Sequence, residues 1–251
     1  MKKLLSSVVA LLCICYSESL WFNSNCNLPP SLWCSTPQTA EKCQVLPHCK
    51  EYWRADTGPV AVGVYLESMC PACKQFTAQQ LYPAFQKIKD IMNITYVPYG
   101  NAQESWDGNQ WKYNCQHGPD ECVGNFIETC AMDILKDADK YLPFLSCIEA
   151  SDQVPAKSAP MCADKYQVDY NAILQCANGS KGNDLEHKMA QLTDALQPPH
   201  QYVPWITING IHTKEIQDRS QTDLIGLICE TYKGQKPAAC STGHEKCLKN
   251  F

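Results

Sequence analysis

Two cysteines separated by two residues, in the motif Cys70-Pro-Ala-Cys73, are the groups in this sequence best able to do chemistry. The apolar, β-branched run at 60–66 predicts a buried strand, and the spacing of apolar residues over 74–90 predicts a helix after it. Cys70 therefore lies where a strand passes into a helix, and the N–H groups and dipole of a helix N-terminus stabilise a thiolate. A thiolate attacks disulfides, and Cys73 is spaced to displace the bound substrate afterwards. We predict a redox-active pair, with Cys70 as the nucleophile and Cys73 as the resolving cysteine.

Other uses of this pair remain open on spacing alone. Cys70 and Cys73 could form a structural disulfide, could be inert thiols, or could supply half of a zinc site with Cys115 and His117. The strand-to-helix placement favours redox chemistry over a structural disulfide. Zinc pairs usually have a wider spacing than Cys115-x-His117, so we expect no metal, and we expect no other cofactor.

The cysteine content and the N-terminus indicate the compartment. Seventeen of 251 residues, about 7%, are cysteine, and this favours an oxidising environment. Residues 1–19 combine a basic start, a short apolar run and small residues near the end, which is the pattern of a secretory signal peptide. Asn93 and Asn178 stand in N-x-Ser/Thr sequons and are predicted glycosylation sites. The net charge of −5, with no basic cluster, excludes nucleic acid as a partner.

The segment 20–57 is rich in cysteine and proline. Between Pro29 and Cys49 it resembles a saposin A-type segment, although that family usually has Gly-Pro where this chain has Pro-Pro. A contact with lipid or with a partner protein is one interpretation, and a disulfide-stapled propeptide or spacer is the other. The pairing of its cysteines is left open, because four of them allow three pairings: Cys26, Cys34, Cys43 and Cys49.

The polar tail at 233–251 is predicted to be stapled or removed. Loss of the signal peptide leaves 15 cysteines, which is an odd number. We predict that Cys240 or Cys247, in this tail, is unpaired, links two chains into a homodimer, or is lost on trimming.

The main domain is predicted to span 58–232. A strand at 60–66, a helix at 74–90 that Pro83 should kink, and a strand at 91–98 form one βαβ unit with parallel strands. The Asn209-Gly210 pair predicts a tight turn and a short antiparallel strand near His212. The other predicted elements are helices at 121–137, 140–149, 166–177, 185–196 and 224–232, and a third strand at 202–210.

The run at 115–130 carries a long and specific pattern: Cys-Gln-His-Gly, two residues, Glu-Cys, two residues, Asn, two residues, Glu, one residue, Cys. Every fixed position resembles the signature of the gamma-interferon-inducible lysosomal thiol reductases. The stretches at 97–104 and 193–205 are similar to further conserved stretches of that family. The resemblance covers about residues 58–247.

The resemblance implies an α/β, thioredoxin-like fold with a long, disulfide-stapled helical insertion at about 100–200, between the second and third core strands. It also implies a thiol reductase that reduces disulfides of endocytosed or lysosomal proteins at acidic pH, with antigen processing as the role in vertebrates. The expected location is the lysosome and endosome, with the precursor also secreted, and a glycan on Asn93 would carry the sorting tag. The expected partners are disulfide-containing, preferably unfolded proteins and a small-thiol reductant. The roles of nucleophile and resolving cysteine fall on Cys70 and Cys73.

Four further residues have expected roles. Val203-Pro204 stands where thioredoxin-type proteins place a cis-proline opposite the active cysteines, so its backbone is predicted to pair with substrate. Work in acid requires a strongly lowered pKa at Cys70, because an ordinary thiol is protonated there; the helix terminus supplies this, and Lys74 could add to it. His117 is expected to be a hydrogen-bonded structural histidine and not a catalytic group.

Two other functions are open from the residues alone. A thiol oxidase or isomerase of the secretory pathway would use the same cysteines at a more oxidising reduction potential. A non-enzymatic, disulfide-stapled binding protein would leave Cys70 and Cys73 inert to alkylation.

Overall fold

The computed structural model describes residues 28, 32–47, 49–50 and 58–241, and the chain forms two compact units that divide after residue 52. The predicted signal peptide at 1–19 lies outside the described residues. In the first unit, helix α1 (Pro37–Lys42) begins at Thr36, whose side chain accepts a hydrogen bond from the N–H of Thr39. A disulfide joins Cys34 to Cys49, and Cys43 is also disulfide-bonded.

The second unit alternates strands and helices at its start and end and is mostly helical between them. In chain order its elements are β1 (Val60–Leu66), α2 (Pro71–Phe76), α3 (Tyr82–Ile88), β2 (Met92–Pro98), β3 (Gln103–Trp106), β4 (Trp111–Asn114), α4 (Pro119–Leu135), α5 (Ala138–Glu149), α6 (Pro155–Tyr166), α7 (Tyr170–Ala177), α8 (Ser180–Asp194), β5 (Trp205–Ile208) and α9 (Lys214–Thr231).

The central sheet has the strand order β2-β1-β5. Strand β1 pairs with β2 in parallel, with Val60 opposite Met92, and with β5 in antiparallel, with Val62 opposite Ile208. The Asn209-Gly210 turn follows β5, and beyond it the predicted fourth strand is reduced to one bridge between Ile208 and Ile211. A βαβ unit, an antiparallel third strand and a closing helix define a thioredoxin-like α/β fold.

The insertion occupies residues 99–204, between the second and third strands of that sheet, as the sequence predicted. It consists of the β3–β4 hairpin and helices α4 to α8, with α4 packed on β2. Three disulfides staple it: Cys115–Cys122, Cys130–Cys176 and Cys147–Cys162.

A further disulfide joins Cys229, in α9, to Cys240. The prediction that Cys240 is unpaired or links two chains is therefore wrong. Its partner lies within the last turns of the closing helix, only 11 residues before it in sequence. Cys247 lies outside the described residues.

Prolines are involved in two differences from the predicted helices. The predicted helix at 74–90 does not break at Pro83; a π-helical turn at Thr77–Leu81, with helical backbone angles on both sides, joins α2 to α3, and Pro83 lies in the first turn of α3. Proline suits a first turn, where its missing N–H is not needed. Helix α6 was not predicted, since it contains Pro155 and Pro160, yet Pro155 occupies its first turn.

The closing helix is longer than predicted. It begins at Lys214 and is interrupted at Asp223, whose φ of −152° is non-helical. The helix predicted at 224–232 corresponds only to the part of α9 that follows this interruption. No helix in the described part of the chain is both long and apolar enough to cross a bilayer.

Candidate active site

Cys70 is the N-cap residue of α2. Its sulfur accepts a hydrogen bond from the N–H of Cys73 at 3.4 Å, and Pro71 follows in the first turn. Cys70 is 7% exposed and Cys73 is fully buried. Both are free thiols, so the pair lies at the junction of strand and helix in its reduced form, with one sulfur near the surface and the other beneath it.

The environment separates the pKa values of the two thiols. The hydrogen bond from the Cys73 side chain is the main cause that lowers the pKa of Cys70 to about 6; burial opposes this, and the N–H groups of Cys73 and Ala72 and the charge of His117 assist it. Burial, followed by the hydrogen bond to Cys70 and the negative charge of Cys70, raises the pKa of Cys73 far above the ordinary thiol value. The negative charge therefore belongs on Cys70 and the proton on Cys73, as a nucleophile and a resolving thiol require.

Lys74 does not take the role that the sequence suggested. Its ammonium donates a hydrogen bond to the carbonyl of Ser151 at 2.6 Å, and the positive charge that lowers the pKa of Cys70 is that of His117. The charge of Lys74 instead acts on two buried carboxyl groups, those of Glu128 and Glu149.

The loop that precedes β5 approaches the nucleophile. The Val203–Pro204 peptide bond is cis, and the carbonyl oxygen of Val203 lies 3.8 Å from the sulfur of Cys70. Gln217 of α9 holds this loop, because its amide donates to the carbonyl of Pro204 at 2.9 Å and accepts from the N–H of Ile206 at 3.2 Å. The structure thus brings together the four residues that the sequence assigned to the site.

His117 is fixed by two carboxylates. Its Nδ1 lies 2.5 Å from Glu121 Oε2 and 3.2 Å from Glu67 Oε2, and its backbone N–H donates to Glu121 Oε1 at 3.0 Å. The predicted hydrogen bonding of His117 is confirmed. Neither glutamate was singled out in the sequence; Glu121 belongs to the 115–130 signature, and this could have identified it.

In the described part of the chain, these three side chains also form a possible metal site. Each offers one ligand atom, and the three atoms lie within 4.8 Å of one another. His117 Nδ1 hydrogen-bonds Glu121 and lies at ion-pair distance from Glu67 Oε2, which has no hydrogen-bond partner among the described residues, so the three groups form an electrostatic cluster centred on His117. The zinc alternative that used Cys115 is wrong, because Cys115 is bonded to Cys122.

A second acidic pair lies beneath Cys73 and was also missed. Glu128 of α4 and Glu149 of α5 are both buried, and each influences the pKa of the other. The Tyr96 hydroxyl donates to Glu128 at 3.3 Å. Burial is the main cause that raises the pKa of Glu128 to about 7 and the pKa of Glu149 well above its usual range.

The two sequon asparagines are accessible. Asn93 is an exposed residue on β2, at the edge of the central sheet, and Asn178 is exposed at the C-terminal end of α7. A glycan at either position would extend into solvent.

A dithiol at the start of the first helix, a facing cis-proline and a thioredoxin-like sheet define a thiol–disulfide oxidoreductase. The profile of the gamma interferon inducible lysosomal thiol reductase (GILT) family matches residues 61–166, and that of the saposin A-type domain matches residues 23–53. A gamma-interferon-inducible lysosomal thiol reductase from Carassius auratus is 44% identical over 249 residues, covering 98% of this chain and 97% of that protein. The chain belongs to this family of thiol reductases.

More distant relatives have similar names. A gamma-interferon-inducible lysosomal thiol reductase from Mus musculus is 42% identical over 187 residues, which is 73% of each chain. A gamma-interferon-responsive lysosomal thiol protein from Arabidopsis thaliana is 34% identical over 191 residues, covering 74% of this chain and 77% of that protein. The solved structure of oxidised BdbD from Bacillus subtilis aligns with a TM-score of 0.48 and 16% identity over 68% of this chain and 90% of that chain.

Proposed function

We propose that the protein reduces disulfides of other proteins through Cys70 and Cys73, in the acidic compartments of the endocytic pathway. The observation that carries this proposal is the opposite displacement of the two thiol pKa values, down to about 6 at Cys70 and far up at Cys73. A thiol with a pKa near 6 keeps a reactive fraction of thiolate in mild acid, where an ordinary thiol has almost none.

The reaction transfers two electrons to the substrate. The Cys70 thiolate attacks one sulfur of a substrate disulfide; an S–S bond forms to Cys70, the substrate S–S bond breaks, and the leaving thiolate takes a proton. Cys73 then loses its proton and attacks the sulfur of Cys70, which releases the second substrate thiol and leaves a Cys70–Cys73 disulfide. A small-thiol reductant regenerates the dithiol by the same exchange.

The loop at Val203-Pro204 is proposed to hold the substrate backbone. The Val203 carbonyl lies 3.8 Å from the attacking sulfur, so a peptide N–H that bonds to it would place a neighbouring cystine over Cys70. Such backbone pairing needs an extended segment, and this favours unfolded proteins as substrates.

The remaining segments are proposed to serve delivery. Residues 1–19 act as a signal peptide, and glycans on Asn93 and Asn178 support sorting to lysosomes and endosomes, with some precursor secreted. The saposin A-type segment within 20–57 acts as a propeptide or as a lipid or partner contact, and 58–232 is the reductase domain. The tail at 233–251 is trimmed, or links a homodimer through Cys247. In a vertebrate, the same activity serves antigen processing.

The test is reduction of a quenched, disulfide-linked peptide pair at pH 5 with excess small thiol. Cys70→Ser is expected to abolish reduction, and Cys73→Ser to accumulate a mixed disulfide between Cys70 and the peptide, seen by non-reducing gel and mass spectrometry. Full activity of Cys70→Ser would overturn the proposal. The other described cysteines are disulfide-bonded, so exposed Ser105→Ala in β3 serves as the control variant.

A second function, as an oxidase, is favoured by one observation. A low pKa at Cys70 stabilises the dithiol form, and stabilising the reduced form makes a pair more oxidising. The reduction potential of the Cys70–Cys73 pair, measured against glutathione, decides between the reductase and the oxidase. A strongly oxidising potential would favour the oxidase. The alternative of a non-enzymatic binding protein is wrong, since the chain belongs to a thiol reductase family.

A further inference from the structure

We propose that Glu67, His117 and Glu121 form a positioning triad that holds the His117 imidazolium beside Cys70 and so preserves the nucleophilic thiolate in acid. The proposal deepens the function above and rests on Cys70 being the nucleophile. It gives the His-Gly part of the 115–130 signature a role at the site, in place of the purely structural role expected from the sequence.

The ring of His117 is held through its Nδ1 atom. One carboxylate, that of Glu121, accepts from both the backbone N–H of His117 at 3.0 Å and Nδ1 at 2.5 Å. Glu67 approaches the same nitrogen at 3.2 Å. Because two acceptors face Nδ1, this nitrogen carries a proton, and Nε2, which has no hydrogen-bond partner among the described residues, is where the ring gains or loses its charge. The side chain is 32% exposed, so solvent can deliver that proton.

The triad is built into the turn that ends at Cys70. Glu67 lies three residues before Cys70 and is fully buried, with Oε1 accepting from the N–H of Asn101 at 2.6 Å. The next residue, Ser68, donates to the carbonyl of Glu121 at 3.0 Å, and its N–H donates to the side chain of Asn125 at the same distance. Two hydrogen bonds therefore join the first turns of α4 to the 67–70 turn.

Two glycines allow this close approach. A Cβ on Gly124 of α4 would lie 2.2 Å from Ser68 Oγ, and a Cβ on Gly100, whose φ is +60°, would lie 2.4 Å from Glu67 Cγ. Both distances are shorter than any real Cβ contact, so neither position has room for a side chain. His117 lies just before α4 and Glu67 directly follows β1, so this packing brings His117 to the residue three positions before Cys70.

The net charge around the Cys70 sulfur becomes more positive as the pH falls, and this favours its thiolate form. Burial by itself would lower the pKa of His117, but the hydrogen bond and charge of Glu121, and then the charges of Glu67 and Cys70, outweigh this and raise it. Burial is the largest cause that raises the pKa of Glu67 to about 7, and the charge of Cys70 contributes. Below pH 7, Glu67 becomes neutral while His117 stays positive, so the environment of Cys70 gains positive charge as the pH falls.

The other charged groups that act on this site are few in the described part of the chain. Cys73 donates to Cys70 from its own helix, and Glu149 of α5 interacts with the charge of Cys70 from below. Glu149 has a raised pKa and is neutral in acid, like Glu67. His117 is thus the cation that remains to stabilise the thiolate when the pH is low.

The test is the rate at which iodoacetamide alkylates Cys70 in the reduced full chain, from pH 4 to pH 9, in the presence of a metal chelator. His117→Gln keeps a hydrogen-bonding side chain but cannot become positive. We expect it to move the midpoint of the Cys70 profile up by about one pH unit, which slows alkylation at pH 5 roughly tenfold. Glu67→Gln is expected to leave the rate at pH 5 unchanged, because the wild-type carboxyl is already neutral there, and to leave the plateau above pH 7 unchanged, because Cys70 is already ionised there.

The chain offers a matched control in His187. Its Nδ1 also lies close to a carboxylate, 2.7 Å from Glu104, and its side chain is 24% exposed. His187→Gln should leave the Cys70 profile in place, and circular dichroism of all variants checks the fold. An unchanged profile in a folded His117→Gln would overturn the triad while leaving the reductase intact. Loss of the function itself would appear separately, as full activity in Cys70→Ser.

Discussion

The buried carboxyl pair beneath Cys73 makes a prediction about stability and pH. Glu128 and Glu149 lie in the core, and burial raises the pKa of both. A carboxyl group whose pKa is higher in the folded than in the unfolded chain stabilises the fold at low pH, and this stabilisation is lost as the pH rises through the folded pKa. The fold should therefore be more stable in mild acid than at neutral pH.

The magnitude follows from the pKa of Glu128, which rises from 4.5 to about 7. One pKa unit corresponds to about 1.4 kcal/mol, so full ionisation of this group in the fold costs about 3 kcal/mol. Between pH 5 and pH 7.5 the difference is about 2 kcal/mol, because the unfolded chain already binds little proton at pH 5.

The substitution Glu128→Gln removes this ionisation and keeps an oxygen that can accept from the Tyr96 hydroxyl. We expect its free energy of unfolding in urea, minus that of the wild type, to be about 2 kcal/mol larger at pH 7.5 than at pH 5, because the wild type loses this stability and the variant does not. Exposed Glu215 of α9 supplies the control, and Glu215→Gln should differ by less than about 0.5 kcal/mol between the two pH values. A Glu128→Gln result equal to that of the control would refute the reasoning.

Three further predictions concern the scaffold. Replacing Cys130 and Cys176 together by serine opens a disulfide that spans 46 residues, and the free energy of unfolding in urea should fall by about 4 kcal/mol; no change would mean that the insertion is held by packing alone. Gly124→Ala should lower the free energy of unfolding by about 1–3 kcal/mol, because the new Cβ would meet Ser68 Oγ at 2.2 Å; an unchanged thermal midpoint would contradict this close packing. Gln217→Ala should lower kcat/KM for a disulfide peptide roughly fivefold through about 1 kcal/mol of lost loop positioning, while leaving reduction of a small aromatic disulfide unchanged; an equal loss on both would count against backbone docking.

The core of the fold was predictable because its signals are local. The β-branched run of β1, the Cys-x-x-Cys motif and the Asn209-Gly210 turn each specify a short element or junction, and all appear where the sequence indicated. Val203-Pro204 was placed by its position before the third strand, and its carbonyl lies beside Cys70.

The elements that were missed depend on contacts distant in sequence. Helix α6 contains two prolines, and the hairpin β3–β4 is short and largely exposed, so neither has a strong local pattern. The pairing of Cys229 with Cys240 is set by how the tail returns to α9. No spacing rule predicts such a pairing.

The site was half predictable for the same reason. Cys70 and Cys73 are identified by their motif. Glu67 matters because folding brings it to His117, and Glu149 matters because folding brings it to Glu128. Lys74 lies next to the motif in sequence, but its ammonium is taken by Ser151. Proximity in sequence misled here because a helix directs neighbouring side chains to different faces.

The central claim is that Cys70 carries the nucleophilic thiolate and Cys73 the proton. The most direct measurement is brief alkylation of the reduced protein at pH 5 with less than one equivalent of iodoacetamide, followed by mass spectrometric mapping of the labelled cysteine. The account predicts that the label is on Cys70 and absent from Cys73, with a rate that rises to a plateau above about pH 6, the pKa of Cys70. Equal labelling of the two cysteines, or a rate that rises only near the ordinary thiol pKa of about 8.5, would contradict it.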